Sequence, residues 1–236
     1  MEEYIKIFND YYKKFDDSLW GVSYKYDHTF RVVDFAEQIA KSLNLSDEDI
    51  EFAKVCALFH DIARFKQWQE YNTFHDSISF DHGDMGYTIL KELGIDDEII
   101  LLSTKYHNKY SVPEDLDDRT KLFANITRDA DKLDIMIEQD RVCNDEELSI
   151  DDEIIDAFNN RALTHNKKTT VYSDADKIFR NVSFIFDINF KKSMEIIKEK
   201  DLVNSKLDSI LAKFDDERVR NIKDICNKYI NERVSD

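Results

Sequence analysis

Residues 56–64 read Cys-Ala-Leu-Phe-His-Asp-Ile-Ala-Arg, an apolar run that ends in an adjacent imidazole and carboxylate, His60 and Asp61. A charged side chain on a buried helix end needs a partner or a metal ion. Four further potential ligands are spread along the chain: His28 before the doublet, and His82, His107 and Asp131 after it. Imidazole nitrogen with carboxylate oxygen suits borderline divalent ions such as Mn, Fe, Co, Ni or Zn, with Mg also admitted. A structural zinc site would bring cysteines and a calcium loop would bring closely spaced carboxylates with glycine, and neither pattern is present. Four histidines and two aspartates are enough for two ions about 3.5–4 Å apart that share a carboxylate and acidify a common water.

For these six to meet, each must sit on an element that points it inward. The steps from His28 to His60, Asp61 to His82, His82 to His107 and His107 to Asp131 are 32, 21, 25 and 24 residues, room for about one helix and one loop each. Tyr4, Phe8, Tyr11 and Phe15 predict a first helix of roughly four turns. A loop through Trp20-Gly21 and a second helix over 27–43, with His28 at its head, come next. Ser46 and Asp49 have N-cap spacing for a third helix running to the doublet, with Ala53, Ala57 and His60 on one face and Cys56 as a small buried hydrophobe. Periodicity fails from Lys66 to Asp81, which predicts a loop in which His75 and Asp76 rank below the helical ligands.

Asp81 opens a fourth helix that carries His82 and closes at Gly94. The fifth starts near Asp96, places Ile100, Ser103 and His107 together, and ends before Pro113. The sixth covers 118–138 with Leu122, Ile126, Ala130, Leu133 and Ile137 inward. Within it Asp129 reads as part of a solvated face and Asp131 as the inward carboxylate. Ile155, Phe158 and Ala162 make a short helix, and His165 falls in a polar surface loop. Ser173 and Asp176 cap a helix expected to run through Ile197. Two amphipathic segments, through Leu207–Phe214 and Val219–Tyr229, finish the chain. Each ligand also has a blander reading: a histidine heading an apolar face is more often a hydrogen-bonded core residue.

Four glycines and one proline in 236 residues leave little material for sheets and tight turns, so an all-α helical bundle is expected, as a single domain over 1–236. A net charge of −17 disfavours duplex nucleic acid or an anionic membrane as partner, whereas a small anion is still accommodated where metal ions supply positive charge. Three cysteines without a C-x-x-C pair read as reduced thiols. No apolar run reaches membrane-span length and the first residues lack a signal-peptide pattern, so a cytoplasmic location is expected.

His28, the His60-Asp61 doublet and Asp131 resemble the H…HD…D signature of the HD-domain metal-dependent phosphohydrolases. The likeness covers roughly residues 24–138. His-Asp-Ile-Ala-Arg at 60–64 is similar to the family's central motif, and Arg128-Asp-Ala-Asp-Lys-Leu-Asp134 to the segment bearing its last aspartate. His82 and His107 match the two extra histidines of the binuclear branch. Ala63 stands where the family often has glycine. The resemblance implies an all-helical HD-type core, with the C-terminal helices 150–233 packing on it, and hydrolysis of a small phosphorylated substrate, nucleotides among the candidates. It further implies that His28, His60, Asp61 and Asp131 hold one divalent ion, and that Asp61 bridges to a second on His82 and His107. Arg64 is the first candidate for a phosphate contact, followed by Lys132 and Arg128. A di-iron oxygenase of the same superfamily and a non-catalytic regulatory module are the alternatives.

Overall fold

A computed structural model describes residues 1–138, 142–164 and 173–235, and these residues are helical or irregular, with no strand among them. The chain divides into two compact units, Met1–Asp131 and Lys132–Asp236. The first contains α1 (Glu2–Tyr12), α2 (Trp20–Ser42), α3 (Asp47–Phe59), α4 (Ala63–Tyr71), α5 (His82–Glu92) and α6 (Glu98–Tyr106). Helix α7 (Asp118–Glu138) carries the boundary within it. The second unit contains α8 (Asp152–Asn159), α9 (Asp174–Ser183), α10 (Lys191–Glu199), α11 (Asn204–Leu211) and α12 (Glu217–Ser235).

In the first unit α2 packs on α3 and α4, and α6 packs on α3 and α5. Phe8 of α1 is fully buried and has the rings of Tyr26, Phe30, Phe59 and Phe65 around it at 5.6–6.5 Å between centroids. That aromatic cluster ties α1 to α2, α3 and α4, and so fixes the helix ends that carry the His-Asp doublet. The caps read from sequence are formed: Ser46 accepts from the Asp49 amide and Asp81 from the Asp84 amide. Gly94 has φ +80°, and the paired bonds Gly94 N–H to Lys91 O and Ile95 N–H to Leu90 O close α5. In the second unit α12 packs on α8, α10 and α11, and buried Phe158 meets Phe179 and Phe186. Ser173 and Asp176 form a reciprocal capping box at the head of α9.

Several boundaries differ from the expected ones. Helix α1 stops at Tyr12, and Phe15 lies beyond it with its ring against Tyr11 at 5.0 Å. Helix α2 begins at Trp20, where a loop was expected, because Gly21 serves a close approach and not a turn. A Cβ at Gly21 would fall inside the Trp68 indole. Gly21→Ala should therefore cost about 1–3 kcal/mol through displacement of that rigid ring, which thermal denaturation of the variant measures. Lys66–Tyr71 belongs to helix α4 and not to a loop. Its buried face includes Gln67, which reads as polar, while exposed Tyr71 reads as apolar, so the period was disguised. The helix expected to run from Ser173 through Ile197 is two, parted by a 3-10 turn at Phe184–Asp187 and an extended Ile188. No glycine or proline marks that break. His165 lies outside the described residues.

Helix α7 spans the residues expected but is buried almost all round. Arg128, Asp129 and Asp134 are buried together with Phe123, Ala124 and Thr127. The solvated face assigned to Asp129 is therefore corrected: its residue is fully buried. A helix with neighbours on several sides has no solvent stripe, and the charge pattern alone could not show this.

Candidate metal centre

His60 follows the last residue of α3, His82 is the first residue of α5, and His107 follows the last residue of α6. His28 and Asp131 come from the bodies of α2 and α7. Gly83 helps α5 lie close on α6: a Cβ there would come 2.6 Å from the Lys105 carbonyl oxygen. The result is two groups whose ligand atoms all lie within 4.8 Å of one another and could each hold a metal ion. One is His28, His60, Asp61 and Asp131, and the other is Asp61, His82 and His107.

Asp61 belongs to both, one oxygen to each. Its Oδ2 is 3.4 Å from the Nε2 of both His28 and His60, and its Oδ1 is 3.5 Å from His82 Nε2 and 3.4 Å from His107 Nε2. All six sequence-derived ligands are thus brought together, and the four histidines and Asp61 are buried. His75 is exposed and belongs to neither group.

The hydrogen bonds fix three of the rings. A carbonyl oxygen only accepts, so His60 Nδ1, 2.7 Å from Ala57 O, and His107 Nδ1, 2.6 Å from Thr104 O, must each carry a proton. His82 Nδ1 is 2.6 Å from Asp76 Oδ2 and donates to that carboxylate. In their neutral forms all three rings therefore aim an unprotonated Nε2 inward. His82 Nε2 and His107 Nε2 face each other at 3.0 Å, and His28 Nε2 and His60 Nε2 at 3.2 Å. Asp131 Oδ1 is buried and lies 3.1 Å from His28 Nε2 and 3.6 Å from His60 Nε2. Acceptors crowded on acceptors in a buried space call for a cation, and the mixed N/O set suits a divalent transition ion. The residues present fit such an ion.

The charge states of the metal-free chain agree. Burial pushes the Asp61 carboxyl up, but the Lys25 ammonium and His60 beside it hold it well below the usual carboxylate range. Asp131 is likewise raised by burial and lowered further by hydrogen bonds from His28 and His60. His60 is pushed down by burial yet raised to about 10 by Asp61 and Asp131, so in the metal-free chain it carries a second proton that an arriving ion must displace. Burial and the Arg64 guanidinium press His82 down to about 3, and burial lowers His107. Those two rings are neutral and ready to ligate.

Three residues at the site were missed or ranked low in the sequence. Lys25 is buried and puts Nζ 2.5 Å from Asp61 Oδ2; its only signal was its place one turn before His28 on α2. Asp76 bonds His82 Nδ1 and pairs with Arg64 Nη1 at 3.0 Å, holding the imidazole from behind. Buried Gln67 donates its amide to Asp76 Oδ1 at 3.0 Å. Lys25→Met should lower the stability of the metal-free protein by about 3 kcal/mol, since it strips a buried carboxylate of its closest partner. Added Mn should recover most of that loss, so melting curves with and without the ion check the role.

The lesser phosphate candidates are otherwise engaged. Arg128 is buried and donates from Nη1 to the carbonyls of Tyr106 (3.0 Å), His107 (3.3 Å) and Lys109 (2.5 Å), and from Nη2 to Tyr110 (3.2 Å). It caps the end of α6 and is not a surface residue. Lys132 falls in the second unit and pairs with Asp187 Oδ2 at 2.9 Å. Cys56 is the buried small residue expected, its thiol pushed up to about 12 by burial.

Comparison with known proteins defines the class. Residues 26–136 match the family model of the HD domain, consistent with the HD-domain metal-dependent phosphohydrolase superfamily. The matched residues include all six of the converging ligands. Comparisons with curated proteins and with solved structures gave no match. Among the described residues no helix is long and apolar enough to cross a membrane.

Proposed function

We propose that the protein hydrolyses a small phosphate ester, a phosphomonoester or phosphodiester with nucleotides among the candidates, at a centre that takes two divalent ions. The observation that carries this reading is the division of Asp61 between the two groups, one oxygen to each. Divalent ions held there would supply a water acidic enough to attack phosphorus and positive charge for the phosphoryl oxygens. The chain's own part is to present His28, His60 and Asp131 on one side of Asp61 and His82 and His107 on the other. Asp76 keeps His82 in the tautomer that offers Nε2 inward, and the Ala57 and Thr104 carbonyls do the same for His60 and His107. Lys25 and Arg64 flank the Asp61 carboxylate and give an anionic substrate fixed positive charge to approach. Asp61 and Arg64 are the residues assigned to the reaction itself.

The test is a panel of phosphomonoesters and phosphodiesters on metal-stripped protein reloaded with Mn, Fe, Co, Ni, Zn or Mg. Hydrolysis should appear with the ion and vanish with a chelator. Oxygen consumption with the whole phosphoester panel untouched would replace this reading with the oxygenase one. His82→Ala and His107→Ala should each take the bound metal from two ions per chain toward one while the first group stays filled, as elemental analysis can read. A wild-type chain that holds one ion at metal saturation, unchanged in both variants, would leave the centre mononuclear.

A further inference from the structure

Arg64 stands on the atoms of the second group. Its Nη2 is 3.1 Å from His82 Nε2, and its Nε is 3.4 Å from Asp61 Oδ1. Those are two of the three atoms that group offers an ion. The third, His107 Nε2, faces His82 Nε2 at 3.0 Å and Asp61 Oδ1 at 3.4 Å. The guanidinium is held there from the far side, where Nη1 donates to Gln67 Oε1, to the Phe74 carbonyl at 2.7 Å and to Asp76 Oδ1 at 3.0 Å. Nε is buried and, at 3.4 Å from Asp61, makes no hydrogen bond of good geometry. The contact with Asp61 is thus electrostatic and loose, while the anchoring is tight.

The charge count points the same way. Asp61, Asp76 and Asp131 bring three carboxylates, and Lys25 and Arg64 bring two fixed cations. With the histidines neutral, one divalent ion already overbalances that cluster, and a second would bury two more positive charges beside Arg64. Buried like charges are costly unless an anion joins them.

We infer that Arg64 is a placeholder cation at the second group, so that the second ion binds weakly to the free protein and enters together with a phosphate anion. Nη2 would then exchange His82 for a phosphoryl oxygen, leaving His82 Nε2 and Asp61 Oδ1 as atoms that would hold the ion. The inference rests on the two-ion reading above and makes Arg64 the residue that couples ion and substrate.

Calorimetric titration of the metal-stripped full chain with Mn, with and without inorganic phosphate, tests it. The wild type should take one ion tightly and a second about tenfold or more weaker, and phosphate should tighten the second by about tenfold, within the usual range of such couplings. Arg64→Met should tighten the second ion without phosphate and erase most of the effect of phosphate, while Arg64→Lys, which keeps the charge, should do so less. Two equally tight ions in phosphate-free wild type, or an unchanged second affinity in Arg64→Met, would overturn the inference. If the Met variant does not fold, Arg64→Lys and the wild type decide: two equally tight ions, or phosphate that leaves the second ion's affinity unchanged, overturn the inference. The outcomes are separable from the hydrolase reading. Coupled binding with no hydrolysis across the panel sinks only that reading, and hydrolysis with uncoupled ions sinks only this inference.

Discussion

Asp61→Asn should remove metal-dependent phosphoester hydrolysis and lower metal binding at both groups together. Loss of a residue behind a ligand typically costs 10–100-fold in metal affinity, and Asp61 is itself shared between two sets, so the loss should exceed that range. The carboxamide keeps the volume but removes the negative charge that faces His28, His60, His82, His107, Lys25 and Arg64 at 2.5–3.5 Å. The metal-free variant should also be less stable than the metal-free wild type, since Lys25 loses the partner of a buried pair, a change worth about 3–5 kcal/mol. Elemental analysis and a melting curve separate the two effects. Retention of one full ion with partial activity would show that the carboxylate is not shared.

Arg128→Met should be among the most damaging changes at a residue that is not a ligand. The guanidinium serves four carbonyls at and beyond the end of α6. Methionine fills part of the space and leaves those oxygens to find other donors. Each lost bond to a charged donor is worth about 1.5–3 kcal/mol and the losses are not additive, so a net cost of about 3 kcal/mol is expected in denaturant unfolding. One of the four is the carbonyl of His107 itself, so metal affinity at the second group should fall with stability. A variant that melts as the wild type does would return Arg128 to a peripheral role.

The candidate ligands that the fold brings together were legible in the sequence because a metal site would need particular residue types that packing rarely places together inside a helix end. The helix ends around them were legible where a cap has a chemical signature, as at Ser46, Asp81 and Ser173. Other features were hidden by the absence of a local signal. Lys25 reads as an ordinary lysine on a helix until Asp61, distant in sequence, is brought beside it. Gly21 reads as a turn until Trp68 is laid against it. Asp76 sat in a stretch judged irregular, because the buried polar face of α4 through Gln67 carried no apolar period. Asp129 shows the limit of charge patterning: a charged run marks a solvated face only when one side of the helix meets water, and α7 is surrounded.

The bonds from His60 Nδ1 to Ala57 O and from His107 Nδ1 to Thr104 O each join a ring to the carbonyl three residues earlier, on its own helix. Each imidazole is thereby aimed by the helix that carries it, before any other part of the chain arrives. Short-range contacts form early and lose little chain entropy. For these two rings the aim toward the site is thus a by-product of helix formation, in contrast to the ligands of a small zinc domain, which are placed only as the domain folds around its ion.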